Sequence, residues 1–260
     1  MDMENIERPK TFEDGLKAEE FKTAHLGQTI MGFELPIKML EDLNSCFDSL
    51  TEDELRKIQS PNGRHELMMY DLGHDINLIS DDLNEWIKDR GHQYLQALSV
   101  PYIGLQSQIA WMNDTLAGEY IPLHRHFGSP GVYKPPMDDI NHPVGLVVLI
   151  GVRIPKILKG PDQEHMVRSG MTEFVNPSGP AQFTVPSWEV TLTDGMVLVF
   201  PYDMCHTVYP HFSEINRRTY SHNIDVFLGN DSVVRYPPPN AYSPNEPIPD
   251  SYKHGKFKYY

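Results

Sequence analysis

Between residues 36 and 50, Leu40, Leu43, Phe47 and Leu50 recur at three- and four-residue intervals behind Pro36. That spacing predicts a helix over 36–50 with one buried face and proline at its first turn. Thr51 followed by Glu52, Asp53 and Glu54 reads as an N-cap with an acidic first turn, opening a short helix that runs to residue 58. A longer amphipathic helix is expected over 78–98, with Leu83, Trp86, Ile87, Tyr94 and Leu98 towards a core. The first 32 residues are polar, with room for a helix over 12–25, and residues 60–75 read as turns.

After Pro101 the helical period stops. Short β-rich runs follow, separated by Gly, Pro, Asn and Asp, and they predict strands at 103–112, 119–123, 144–154, 181–185, 189–192, 196–200, 206–209 and 217–228. So many short strands point to a sandwich, barrel or jelly roll. The expected organisation is one α+β unit over 1–260, mainly β: a helical part (1–100), a β core (101–228) and a proline-rich extension (229–260). The helices are expected to pack on one outer face of the sheet.

Composition narrows the function. Lys and Arg number 22 against 36 Asp and Glu, a formal net charge of −14. Such a surface disfavours nucleic acid and anionic membranes, which both need a cationic face. Residues 1–100 hold 10 basic and 21 acidic side chains, so the acidity is concentrated there. Cys46 and Cys205 make no disulfide framework, and no stretch reads as a leader or a membrane span, so a cytoplasmic, soluble protein is expected.

The candidate chemistry lies in the β region. On a strand, residues i and i+2 share a face, so His124 and His126 can aim at one point. Asp194-Gly195 opens a strongly apolar run ended by Phe200-Pro201, and His206 starts the next strand, where antiparallel pairing can bring it beside the first two. Imidazole suits Fe, Zn, Cu and Ni. Farther on, alternation puts Arg217, Thr219, Ser221 and Asn223 on one face and Arg218, Tyr220 and His222 on the other. An arginine beside small hydroxyls makes a carboxylate socket. The bland alternative is an ion pair of Arg217 with Glu214, and His142, His211 and His222 read as surface or structural histidines. Cys205 reads as a packed small hydrophobe.

The order of these blocks over about 103–228 resembles the Fe(II)/2-oxoglutarate-dependent oxygenase superfamily, and within it a branch found in phage and marine bacterial genomes. The residues that carry the resemblance are Trp111-Met112-Asn113, Gly118 and His124-Arg125-His126, then Asp194-Gly195, Phe200-Pro201, His206 and Pro210, and last Arg217-Arg218-Thr219 with Asn223. The resemblance implies a double-stranded β-helix (jelly roll) buttressed by N-terminal helices. It implies Fe(II) held by His124, His126 and His206, with Arg217 on the distal carboxylate of 2-oxoglutarate and Thr219 supporting it. Trp111 and Asn113 would line the pocket, and Arg218 would be the anchor if the register slipped by one residue. The implied reaction is hydroxylation of a small molecule or peptide with release of succinate and CO2.

Two departures stand out. His126 occupies the position where the superfamily carries a carboxylate, and residues 127–142 form a long segment in which Asp138 or Asp139 is a possible substitute ligand. Two other readings compete: a three-His cupin-type metal enzyme that does not use 2-oxoglutarate, and a catalytically inactive jelly-roll binding module. The cupin reading gives the Arg217/Thr219 socket no role. Substrate choice belongs to the loops 127–143 and 155–180, and the sequence leaves the substrate and the oligomeric state open.

Overall fold

The computed structural model describes residues 23–25, 28–59, 65–72, 74, 76–100, 102, 104–126, 144–156, 168–176 and 186–227. Its elements, in chain order, are β1 (Thr23–His25), β2 (Thr29–Glu34), α1 (Ile37–Asp48), α2 (Glu52–Lys57), β3 (His65–Asp71), β4 (Ile76–Asn77), α3 (Asp81–Ala97), β5 (Gly104–Thr115), β6 (Ile121–His124), β7 (Gly145–Arg153), β8 (Thr172–Val175), β9 (Ser187–Val190), β10 (Met196–Pro201), β11 (Cys205–Val208) and β12 (Arg217–Phe227).

Two antiparallel sheets form, one of eight strands in the order β1-β2-β10-β7-β12-β5-β3-β4 and one of four in the order β6-β11-β8-β9. From β5 to β12 the chain passes back and forth between them, with the β8–β9 hairpin as one excursion into the small sheet. β5, β7, β10 and β12 enter the large sheet, and β6, β8, β9 and β11 enter the small one. This winding, with every neighbour antiparallel, is the double-stranded β-helix, or jelly roll.

Burial follows from the position of each strand. β7 and β10 are apolar at nearly every residue because both faces of the large sheet are covered. Val148, Ile150, Val197 and Val199 face outward into a core with Leu43 and Phe47 of α1 and Leu83, Ile87 and Tyr94 of α3. Val147, Leu149, Leu198 and Phe200 face inward against Phe174 and Val190 of the small sheet. The helices thus buttress the outer face of the large sheet. The Glu54 N–H donates to the Thr51 hydroxyl and the Thr51 N–H to the Glu54 carboxylate, a complete capping box. Ser80 caps α3 by accepting from the Leu83 N–H. Among the described residues no helix is long and apolar enough to cross a membrane.

The N-terminal hundred residues depart from the sequence reading. They are not simply helical, because β2 pairs with β10 at one side of the large sheet and β3 pairs with β5 at the other. Residues 23–25 are strand, not the end of a helix, while residues 12–22 lie outside the described residues. Residues 65–71, read as turn, form a full strand, and β8 arises within a segment read as loop. The expected strand at 181–185 and the extension 229–260 also lie outside the described residues.

Candidate metal centre

β6 and β11 run side by side in the small sheet with His124 opposite His206. His126 follows β6 by two residues, and its N–H donates to the Tyr202 carbonyl at 2.9 Å, which pins the backbone there. The three rings converge, with centroids 4.2 Å (124 to 206), 5.2 Å (126 to 206) and 5.4 Å (124 to 126) apart. One ligating nitrogen from each lies within 4.8 Å of the other two.

The other ring nitrogen of each histidine is held. His124 Nδ1 lies 2.8 Å from the Pro122 carbonyl, His206 Nδ1 3.0 Å from the Met204 carbonyl, and His126 Nδ1 2.8 Å from Asn223 Oδ1. These oxygens only accept, so each Nδ1 carries the proton and each lone pair sits on Nε2. Burial depresses the His206 pKa to about 3, with repulsion from His124 and His126 adding to the shift. Burial likewise brings His126 to about 4, against the opposing hydrogen bond to Asn223. Both rings are therefore neutral ligands at neutral pH. The Trp111 indole stacks on His126 at 5.4 Å and the Phe200 ring meets His206 edge-on at 5.1 Å, so the rings have little freedom to rotate.

The cluster opens on a cavity of about 410 Å³ whose walls include Trp111, Asn113, Leu149, Arg217, Thr219 and Ser221. Arg217 is 1% exposed. Its Nη2 donates to the Thr172 hydroxyl at 3.3 Å, while Nε and Nη1 have no hydrogen-bond partner among the described residues. Burial lowers its pKa to about 10, which still leaves it a cation at neutral pH. A buried cation with two unused donors is costly unless an anion completes it.

The alternation along β12 thus brings Arg217 and Thr219 to the cavity, and β5 brings Trp111 and Asn113. Arg218 goes elsewhere. On the outer face its Nε donates to Asp114 at 2.9 Å, Nη2 pairs with Asp48 at 2.8 Å, and the guanidinium lies 4.2 Å over Phe47. That corrects its place as an alternative anchor, because the register of β12 against β5 and β7 turns it towards the helices. No ion pair joins Arg217 to Glu214 among the described residues.

The remaining histidines stand apart from the cluster. His211 lies within hydrogen-bond reach of the Thr115 carbonyl, and His222 is buried beside the Tyr220 hydroxyl and stacks on Tyr70. His142, Asp138 and Asp139 lie outside the described residues. Cys205 is a half-buried free thiol.

Two residues with a place in the site, Thr172 and Glu66, escaped the sequence reading, and the role of a third, Asn223, was legible only in part. Thr172 supports Arg217 from β8, inside a segment read as loop. Asn223 was legible as a member of the correct face, but not as the partner of His126. Glu66 lines the cavity from β3, in a segment read as turns.

The donor set fits a transition metal: three neutral imidazoles with fixed tautomers suit Fe, Ni, Cu or Zn. Among the described residues no carboxylate joins them. Arg217 fits a carboxylate-bearing ligand in the same cavity.

No family model and no curated protein matches this chain. Solved structures do. A viral collagen prolyl hydroxylase from Paramecium Bursaria Chlorella virus-1, in its 2-oxoglutarate complex, is 10% identical, with 75% of this chain and 95% of that one aligned at a TM-score of 0.47. A Pseudomonas putida prolyl-4-hydroxylase is 11% identical over 78% and 94%, TM-score 0.43. HygX from Streptomyces hygroscopicus, with nickel, 2-oxoglutarate and hygromycin B bound, is 12% identical over 75% and 82%, TM-score 0.45.

Proposed function

We propose that this protein is an Fe(II)- and 2-oxoglutarate-dependent dioxygenase that hydroxylates a small molecule or peptide. The balance is 2-oxoglutarate, O2 and substrate R–H giving succinate, CO2 and R–OH. The observation that carries the reading is the buried Arg217, whose Nε and Nη1 have no hydrogen-bond partner among the described residues, in the same cavity as His124, His126 and His206. A dianion that ligates a metal at one end and presents a carboxylate at the other answers both features at once.

The chain's own residues then have defined tasks. His124, His126 and His206 would hold Fe(II) through Nε2, their Nδ1–H groups donating to the Pro122 carbonyl, Asn223 Oδ1 and the Met204 carbonyl respectively. Arg217, backed by Thr172 and beside Thr219, would take the distal carboxylate. Leu149 and Val208 keep part of the wall apolar, and Trp111 closes over His126. Bound Fe(II) supplies the redox chemistry that couples decarboxylation of the 2-oxo acid to oxidation of substrate by dioxygen. We infer a cytoplasmic setting from Cys46 and Cys205, both free thiols, and no nucleic-acid partner from the net charge of −14.

Anaerobic addition of Fe(II) and then 2-oxoglutarate tests this directly through the visible metal-to-ligand charge-transfer band. The band is expected in the wild type and lost in Arg217→Met. The all-imidazole donor set favours a second reading, a three-His enzyme without 2-oxoglutarate, and iron that binds without the band would establish it over the first. Absence of iron binding would sink both and leave a binding module.

A further inference from the structure

The cavity carries a second polar feature, distinct from the histidines and from Arg217. Along the inner face of the large sheet, the register places Glu66 of β3 beside Asn113 of β5, and Asn113 beside Thr219 of β12. Leu67 and Met69, the neighbours of alternate parity on β3, are buried in the helix-side core, so Glu66 points to the cavity it lines. Asn113 is 5% exposed, and its Oδ1 has no hydrogen-bond partner among the described residues. Two hydrogen-bond acceptors therefore sit side by side, a carboxylate and an amide oxygen, and the amide oxygen has no partner among the described residues.

The ligand of the proposed reaction does not complement this pair. 2-Oxoglutarate is a dianion whose carboxylates and keto oxygen only accept, so it complements the donors of Arg217 and opposes Glu66 and Asn113 Oδ1. Strand spacing separates Glu66 from Arg217 by two strands and two residues, roughly 12 Å, so one short diacid does not need to reach both. Trp111 lies two residues along β5 from Asn113 on the same face, stacked on His126, and supplies an aromatic wall between the acceptor pair and the histidines. Aromatic walls favour cations as well as apolar chain.

From this juxtaposition of Glu66, Asn113 and Trp111 we propose that the substrate bears a protonated amine, held by the Glu66 carboxylate and donating to Asn113 Oδ1. The inference deepens the oxygenase reading and rests on it for the reaction, but the amine subsite stands on its own geometry. Glu66 and Asn113 are then specificity determinants. They would orient the substrate by its cationic end and leave the carbon chain beyond it to run past Trp111 towards the three histidines.

The test uses butylammonium and its neutral isostere 1-butanol, titrated by NMR into the full chain with and without Ni(II) and 2-oxoglutarate. Wild type is expected to bind the ammonium about tenfold more tightly than the alcohol, the scale of one charge-assisted hydrogen bond. Glu66→Gln should abolish that preference, and Asn113→Ala should reduce it. Equal affinity for the two probes in the wild type overturns the proposal without recourse to any variant, as does a preference that survives Glu66→Gln. Failure here, with the charge-transfer band intact, removes the amine subsite and spares the oxygenase. An ammonium preference in a chain that binds neither Ni(II) nor 2-oxoglutarate keeps the subsite and removes the oxygenase.

Discussion

Adjacent residues Arg217 and Arg218 carry the same charge, are equally buried and do opposite things. Arg218 is compensated by Asp114 and Asp48 and capped by Phe47. Among the described residues Arg217 has one hydroxyl contact and two donors without a partner. Breaking a buried ion pair leaves a buried charge behind, so Arg218→Met, which strips Asp114 of one of its partners, should cost about 3 kcal/mol of folding stability. Arg217→Met removes a cation that has no ion pair among the described residues. Its cost should be under about 1 kcal/mol, or the change stabilising, while binding of the 2-oxo acid is lost. Urea denaturation of the two variants gives the comparison. Equal destabilisation would mean that Arg217 is structural and that the socket has been misread.

At the scale of elements, the centre depends on a corner where β7 begins. The Tyr202 N–H donates to the Gly145 carbonyl, and the Tyr202 carbonyl accepts from the His126 N–H, so the start of β7 fixes the third histidine through the β10–β11 turn. A Cβ on Gly145 would meet the Tyr202 ring at 2.1 Å and the Ile224 carbonyl oxygen at 2.5 Å, whereas at Gly104 the nearest atom is a Phe227 ring carbon at 3.9 Å. Gly145→Ala should therefore cost about 3 kcal/mol or more and weaken metal binding, with Gly104→Ala within about 1 kcal/mol of wild type. Thermal unfolding and Ni(II) titration would show it, and similar results for the two alanines would refute the corner's role. The same scale explains what was readable in advance. α1 and α3 carry their period openly, and β12 alternates small polar with bulky residues, so its two faces separate on inspection. β3 reads HELMMYD, with no clear alternation and turn-formers before it, and becomes a strand only because β5, far along the chain, offers an edge. Glu66 was hidden for that reason. Thr172 was hidden in the same way, by a strand whose partners are β9 and β11.

Over the whole molecule, the acidic helices pack outside the large sheet, and the interior contains buried rings that resist protonation. Burial brings His222 and His206 to about 3 and His126 to about 4, with the charge of Lys88 and of the neighbouring histidines adding to it, against an ordinary 6.5. Between those values and 6.5 the unfolded chain binds protons that the folded chain refuses. Stability is therefore complete above about pH 6.5 and falls as the pH drops towards 3 to 4. At pH 5 each ring withdraws about 2 kcal/mol, so the three together withdraw about 6, a large share of the total for an ordinary domain. The metal-free protein should lose most of its urea resistance between pH 7 and pH 5. His222→Phe, which removes a ring remote from the metal cluster, should lower the slope of stability against pH by about a third. Ni(II) binds only the neutral imidazoles of the folded state, so it should offset the loss at His126 and His206 and leave the part due to His222. A stability that is level from pH 7 to pH 5 without metal would show that these rings are not buried in neutral form, and the assignment of His126 and His206 as ready ligands would fall with it.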